Sequence, residues 1–360
     1  MFNIEVWKEE NEFNLLENHN YLLILTEKFF NNLISKKGNF LKNKKSRICG
    51  VMVPYLVANR KFIKEGALVF SPEEDLNYVV VSMDKPDLKL IDKIKDYKSI
   101  FLFVDGLSPY MESFTKQIEN VIMESKVMGT GVGSKDFVQK PCIFDGVGVY
   151  QDSALLVGLN VELKVGVRHG WDIFYGPLVV TKSEKNVVYE INGEPAFVVY
   201  KRLIKEKEGI QLTPYNIQEI VKAYPLGMVS FKDDEIIIRD PIGIGKDNSL
   251  VIVSSIPPFS TIFIMTGHFE TLIDSACKVS REVFRRSKGN IGILFDCVSR
   301  VLFLGEHGFT KEINNIFECA GKSNINIFGL TSIGEISNSG YNELRIFNKT
   351  ILLGVVEEEI

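Results

Sequence analysis

Apolar residues in this chain fall mostly into short runs, and long one-sided stripes are fewer. The runs at 48–57, 67–70, 78–83 and 100–104 predict strands, as do 163–167, 178–181, 187–191, 262–265, 291–295 and 325–329. Residues 236–239 and 250–253 predict an antiparallel pair, and 142–160 two antiparallel strands about Gln151-Asp152. Helical spacing is found over 17–34, 88–97, from Pro109 to Ile122, onward from Pro195, and over 273–284 and 309–320. In the last of these, Phe309, Ile313, Ile316, Phe317 and Ala320 share one face, and Gly321 supplies a stop. Ser108 is expected to cap the helix that Pro109 opens. Residues 129–134 (Gly-Thr-Gly-Val-Gly-Ser) are expected to form a glycine turn. Strands in hairpins mixed with a few helices predict an α+β fold, with mixed or antiparallel sheets flanked by helices in an αββα layering.

The pattern also repeats. A strand, an Asp corner, a helix, a glycine and a further strand occur in that order twice. Residues 103–108 parallel 294–299, 191 residues on; Gly129 parallels Gly329; and 153–158 parallel 349–354. This predicts two related halves. The charge-dense stretch 201–208, followed by Pro214, places the boundary between them, giving domains 25–207 and 208–358.

Composition narrows the function. The 360 residues are 45% hydrophobic and 24% charged, ordinary for a globular protein of one large or two smaller domains. A formal charge of -4 supplies no field for nucleic acid. The basic run from Lys36 through Lys37, Lys42, Lys44 and Lys45 to Arg47 reads as a solvated loop. The apolar stretch 250–267 is broken by Pro257-Pro258, so no membrane insertion is expected, and Met1-Phe2-Asn3-Ile4-Glu5 does not read as a signal peptide. Five scattered cysteines without a C-x-x-C pair predict reduced thiols and a cytoplasmic protein. No cofactor or metal is expected: residues 129–134 lack the Lys-Ser/Thr of a phosphate loop, and the spacings of zinc and calcium sites are missing.

Candidate chemistry gathers at the end of the strand 291–295. Asp296, Cys297 and Arg300 lie together there, and a helix and a strand later come Gly334 and Glu335. Cys297 is either a nucleophile activated by Arg300 or a small buried residue. Asp105 and Asp296 are either paired acid–base carboxylates or acceptors of turn N–H groups. Arg300 and Glu335 either pair with each other or hold a ligand's carboxylate and ammonium. Asn348 and Thr350 then add neutral hydrogen bonds, and Gly131 and Gly133 room for the ligand. The site expected is therefore Arg300, Glu335, Gly334, Cys297, Asn348, Thr350, Gly131 and Gly133, with no catalytic residue assigned.

These motifs resemble the FIST family of sensory domains. The likeness runs over Gly129–Ser134, Gly170-Trp171, Gly176-Pro177, Thr181-Lys182 and Asn192-Gly193-Glu194-Pro195-Ala196, then over Cys297-x-x-Arg300, Gly329-x-x-x-x-Gly334-Glu335-Ile336 and Asn348-x-Thr350. Phe347 stands where a His often precedes the Asn. The resemblance implies a signal-transduction protein that binds an amino acid or similar metabolite and relays its occupancy to a partner protein. A Cys- or Asp-dependent hydrolase or transferase, and a ligand-free adaptor, remain as alternatives.

Overall fold

The computed structural model describes residues 2–9, 20–37, 47–72, 75–213, 216–232, 235–341 and 343–357. Its core uses one chain path three times: an opening strand, two parallel strands joined through a helix, a hairpin, and a closing strand. The first unit comprises β1 (Phe2–Trp7), β2 (Tyr21–Thr26), α1 (Glu27–Lys37), β3 (Ile48–Val53), the hairpin β4 (Leu56–Ala58) and β5 (Lys61–Ile63), and β6 (Ala67–Pro72). The second comprises β7 (Asn77–Ser82), α2 (Leu88–Ile91), β8 (Ser99–Asp105), α3 (Met111–Ile122), β9 (Lys126–Val132), the hairpin β10 (Ile143–Asp145) and β11 (Val149–Tyr150), and β12 (Ser153–Leu159).

The third opens with β13 (Leu163–Arg168) and is then interrupted by an inserted body. That body holds β14 (Asp172–Glu184), β15 (Val187–Ile191), β16 (Glu194–Pro195), α4 (Ala196–Glu208) and α5 (Ile217–Ala223). It continues through β17 (Leu226–Val229), β18 (Ile236–Arg239), β19 (Pro241–Ile244), β20 (Leu250–Ile252) and β21 (Thr261–Thr266). The third unit resumes with α6 (Phe269–Arg286), β22 (Ile291–Cys297), α7 (Val298–Cys319), β23 (Asn326–Ser332), the hairpin β24 (Glu335–Ser337) and β25 (Arg345–Phe347), and β26 (Ile351–Val356).

Each unit builds four strands of a six-stranded sheet, in the orders β1-β6-β2-β3, β7-β12-β8-β9 and β13-β26-β22-β23. The last two places are filled by a neighbour's hairpin. β10 of the second unit pairs with β3, β24 of the third with β9, and β4 of the first with β23. The exchange is cyclic, so no unit completes its sheet alone. The inner faces of all three sheets bury one shared core, containing Phe70, Phe103 and Phe295. α2 and α3 cover the outer face of the second sheet, and α6 and α7 that of the third. The inserted body has its own sheet and its own core around Tyr200, Leu203 and Ile262.

Three equivalent glycines show how close the packing is. Gly50, Gly129 and Gly329 lie opposite Leu23, Leu102 and Leu294 in the parallel pairs. A Cβ at Gly50 would stand 2.3 Å from the Leu23 carbonyl oxygen, and one at Gly329 2.2 Å from that of Leu294. The expected turn at 129–134 is accordingly mostly strand. A Cβ at Gly131 would meet the Ile333 carbonyl oxygen at 2.1 Å, so its glycine serves a close backbone approach and no reversal of direction.

The α+β class stands, and the two facing sheets expected become three around a common core. The helix expected over 17–34 begins only at Glu27, because 21–26 is a strand buried on both faces. Ser108 does not cap α3. Its Oγ accepts from Tyr110 N and donates to Asp152, and the helix starts at Met111. β18 pairs with β17, and β20 with β19 and β15, instead of with each other. The cysteines were expected to be free, yet Cys277 of α6 and Cys319 of α7 form a disulfide, since packing the two helices side by side erases their 42-residue separation. Most of the basic run (38–46), the start of the 17–34 segment, Pro214 and the acidic tail 358–359 lie outside the described residues. Among the described residues no helix is long and apolar enough to cross a membrane.

Candidate functional site

The third unit departs from the other two where β22 ends. Strand register makes Gly50, Gly129 and Gly329 equivalent, so Cys297 matches Asp105 and Thr26, while Asp296 matches Val104 and Leu25. Asp105 and Asp296 are therefore not counterparts. Phe103 and Phe295 face the shared core, whereas Leu294, like Asp296, faces the helices. A slip of one residue exchanges the two faces of a strand, so the paired-carboxylate expectation falls. Asp105 instead accepts from Leu107 N (3.2 Å), Gln139 Nε2 (3.0 Å) and Asp152 N (2.9 Å).

Behind β22, Asp296, Arg300 and Glu312 form a fully buried charge cluster. Arg300 Nε stands 3.2 Å from Asp296 Oδ1, and Nη2 donates to Glu312. The same guanidinium donates to the carbonyl oxygens of His169 (2.5 Å) and Leu272 (3.1 Å). Two carboxylates against one guanidinium leave an excess negative charge, which burial does not tolerate. Burial, and then the charge of Glu312, push the Asp296 carboxyl far above the usual carboxylate range, so it is held protonated. Arg300 is engaged by four protein oxygens and does not pair with Glu335.

In front of β22 lies Glu335, also fully buried. Its carboxylate accepts from the hydroxyls of Ser332 and Thr350 and from Thr350 N (3.2 Å), with the Cys297 thiol beside it. Burial pushes its pKa up to about 7, against these donors. The same burial, with the Glu335 carboxylate next, raises the Cys297 thiol well above its ordinary value. A buried, protonated thiol is a poor nucleophile. The quartet Cys297, Ser332, Glu335 and Thr350 corresponds in register to Thr26, Val53, Leu56 and Gly66 in the first unit, and to Asp105, Val132, Ile143 and Ser153 in the second. Only in the third unit does a carboxylate occupy the hairpin position.

A second buried pair joins this unit to the inserted body. Lys349, at φ 55°, holds its ammonium 3.2 Å from Asp240 Oδ2, 3.0 Å from the Lys222 carbonyl oxygen and 4.8 Å from the centre of the Trp171 ring. Ser299 Oγ donates to the same Asp240 oxygen (3.1 Å). Trp171 Nε1 donates to the Lys349 carbonyl oxygen (3.2 Å), and Phe303 packs edge-on against the ring.

Above Trp171 a cleft of about 270 Å³ opens between the inserted body and the third unit. His169, Trp171 and Asp172 line one side, Asp274 and Lys278 of α6 another, and Thr350 reaches it from the third unit. Asp274 and Lys278 form an exposed ion pair at 2.6 Å. His169 Nδ1 accepts from Trp171 N (2.9 Å), and burial, with Arg300 next, pushes its pKa down to about 4, so it is neutral near pH 7. Of the eight residues expected at the site, Thr350 alone lines this cleft. Glu335 and Cys297 lie beneath it, and Arg300 grips its floor through His169. Gly334 (φ 90°) and Asn348, whose buried Oδ1 has no hydrogen-bond partner among the described residues, flank Glu335. Gly131 bonds to the Gly334 carbonyl oxygen (2.8 Å), and Gly133 to that of Met52 (2.9 Å), so both serve the joints between units. His169, Asp172, Asp274 and Lys278 had no sequence signal. Their meeting depends on the insertion folding back, and only Gly170-Trp171 hinted at the place.

No curated protein matches the chain. Family models do: the FIST N domain over residues 44–194 and the FIST C domain over 196–338. The boundary between them falls where β16 gives way to α4, inside the inserted body. FIST domains are generally regarded as sensory domains of signalling proteins. Matched over most of its length by both domain models in order, this chain belongs to the FIST family.

Proposed function

We propose that the protein is a cytoplasmic sensor that binds a small polar metabolite of the amino-acid class in the cleft above Trp171, and passes its occupancy to a signalling partner. The observation that carries this reading is that two bodies, each with a main core of its own and joined beneath the cleft by a small cluster of Trp171, Ile238, Met265, Leu272 and Leu304, supply the walls: the third unit with its α6 on one side, β18 and the start of the insertion on the other. A ligand touching both biases their relative arrangement, and differential affinity of this kind is what a sensor needs. The size suits a small metabolite. Asp172 and Asp274 offer carboxylates to an ammonium, Lys278 an ammonium to a carboxylate, and Thr350 a hydroxyl backed by Glu335. Arg300 and Glu335 serve as the floor that holds His169 and Thr350 in place. Cys297, buried and protonated, gives the enzyme alternative no accessible thiol.

Differential scanning fluorimetry against free amino acids and small carboxylates tests this. A ligand present at 100 times its Kd adds about 2.7 kcal/mol of stability. Lys278→Gln and Asp172→Asn, both at exposed positions, should abolish the shift and leave the ligand-free melting temperature unchanged. A panel with no shift in the parent protein moves the reading to the adaptor alternative; a shift unaffected by both variants places the ligand elsewhere.

A further inference from the structure

We propose that the Cys277–Cys319 disulfide is a thiol-exchange site that sets the rigidity of the cleft's α6 wall. Three observations meet here. α6 presents two faces: Thr271, Asp274, Ser275 and Lys278, spaced by three and four residues, line the cleft, while Cys277 and Ser280 turn to α7. The bridge is therefore one residue from a cleft-lining side chain and ties that helix to the end of α7, beyond the break in α7 at Gly305 (φ 65°) that separates this segment from the turn carrying Arg300. Arg281 Nη2 lies 3.5 Å from Cys277 Sγ and 3.9 Å from Cys319 Sγ, so a guanidinium stands ready for a thiolate on either sulfur. Finally, Cys319 is half-buried whereas Cys277 is buried, so Cys319 is the more accessible of the two.

The chemistry follows from that asymmetry. A low-molecular-weight thiolate attacks Cys319 Sγ; the S–S bond breaks, and Cys277 leaves as a thiolate beside Arg281. A second thiolate attacks the external sulfur of the mixed disulfide, releasing Cys319 as a thiolate and the small thiols as their own disulfide. Two electrons pass from two small thiols to the protein, and the two protons of those thiols end on the cysteines or in solvent. Without the bridge, α6 is held to α7 by packing, by Ser280 Oγ on the Ile316 carbonyl oxygen (2.6 Å) and by Arg300 on that of Leu272. The wall stays folded and loses a constraint beside Lys278.

The idea rests on the cleft being the working site, yet its test needs no ligand. Oxidised full-length protein, the same protein reduced with glutathione, and Cys319→Ser are compared by hydrogen exchange across 269–286 and by Trp171 fluorescence in a Trp7→Phe background. Reduced protein and Cys319→Ser are expected to agree, both exchanging faster over α6 than the oxidised form and both shifting the Trp171 emission. Arg281→Gln should slow reduction by glutathione at least about threefold by removing the cation beside the leaving thiolate. The proposal is overturned if both cysteines alkylate without reductant, if reduction leaves α6 exchange unchanged, or if Arg281→Gln reduces at the parent rate. A failed ligand screen alongside faster α6 exchange would overturn the sensor reading and leave the exchange site standing.

Discussion

The second and third units share a backbone and differ in what they bury at the same corner. In the second, Asp105 ends β8 and spends its oxygens on Leu107, Gln139 and Asp152, a loop network of ordinary hydrogen bonds. In the third, Cys297 takes that place and the acid sits one residue earlier, on the other face, locked under two helices with Arg300 and Glu312. The hairpin position is Ile143 in one and Glu335 in the other. Topology therefore supplies equivalent and equally buried places, and the residue set there with its partners decides the chemistry. The unit that breaks the repeat electrostatically is also the one that carries the insertion and faces the cleft.

The largest effect is expected at Arg300. Arg300→Met leaves the Glu312 carboxylate, the Asp296 carboxyl and two carbonyls without their cation, and should cost about 3–5 kcal/mol in urea unfolding. Asp105→Asn gauges the same corner in the second unit and serves as its counterweight below.

Glu335 gives a pH signature that Ile143 cannot. Its folded pKa of about 7 lies above the ordinary value of 4.5, so between those values the folded state holds a proton that the unfolded state has lost. Its contribution is fully present below pH 4.5 and disappears as pH rises through 7, amounting to about 3 kcal/mol. Glu335→Gln should therefore become more stable than the parent protein by about that amount from pH 5 to pH 8. Asp296, raised in the same sense, is present in both proteins and cancels from the difference. Parallel stability profiles for the two proteins would remove Glu335 from this role.

The equivalent glycines sharpen the comparison further. A Cβ at Gly329 strikes backbone at 2.2 Å, whereas at Gly129 the nearest atoms are about 3.0 Å away, on Ile336 and Leu102. Gly329→Ala should cost about 3 kcal/mol and Gly129→Ala about 1 kcal/mol. Equal losses would mean that the two units pack alike at this point. For Asp105→Asn a loss of about 1–3 kcal/mol is expected, since the buried amide keeps one acceptor oxygen but turns its NH2 toward an N–H that the carboxylate had accepted from.

Much of the strand content was legible because buried strands need continuous apolar runs, and 100–104 and 291–295 have them. The two-copy repeat was legible where both copies kept an acid, a helix and a glycine in order. The first unit stayed hidden because Thr26 replaces the acid and Tyr21–Thr26 continues directly into α1. Its kinship shows only in the register that places Gly50 opposite Leu23. Cys297, Arg300, Glu335 and Thr350 stood out as polar residues beside apolar strands, which burial makes conspicuous. Their partners did not, because Glu312 and Ser332 look like any helix acid and any strand hydroxyl.

By itself, then, the sequence determined the element types, the α+β class, the family and the neighbourhood of the polar cluster, all of which rest on local spacing and composition. The tertiary structure alone decided the third unit, the cyclic exchange of hairpins, the pairing of Arg300 with Glu312 instead of Glu335, and the Cys277–Cys319 bridge. It also assembled the cleft. Each of these depends on residues from 12 to about 270 positions apart meeting across a sheet edge or a helix face. Local pattern is blind to such meetings: register and packing set them, and one residue's shift in register reverses which face a side chain occupies.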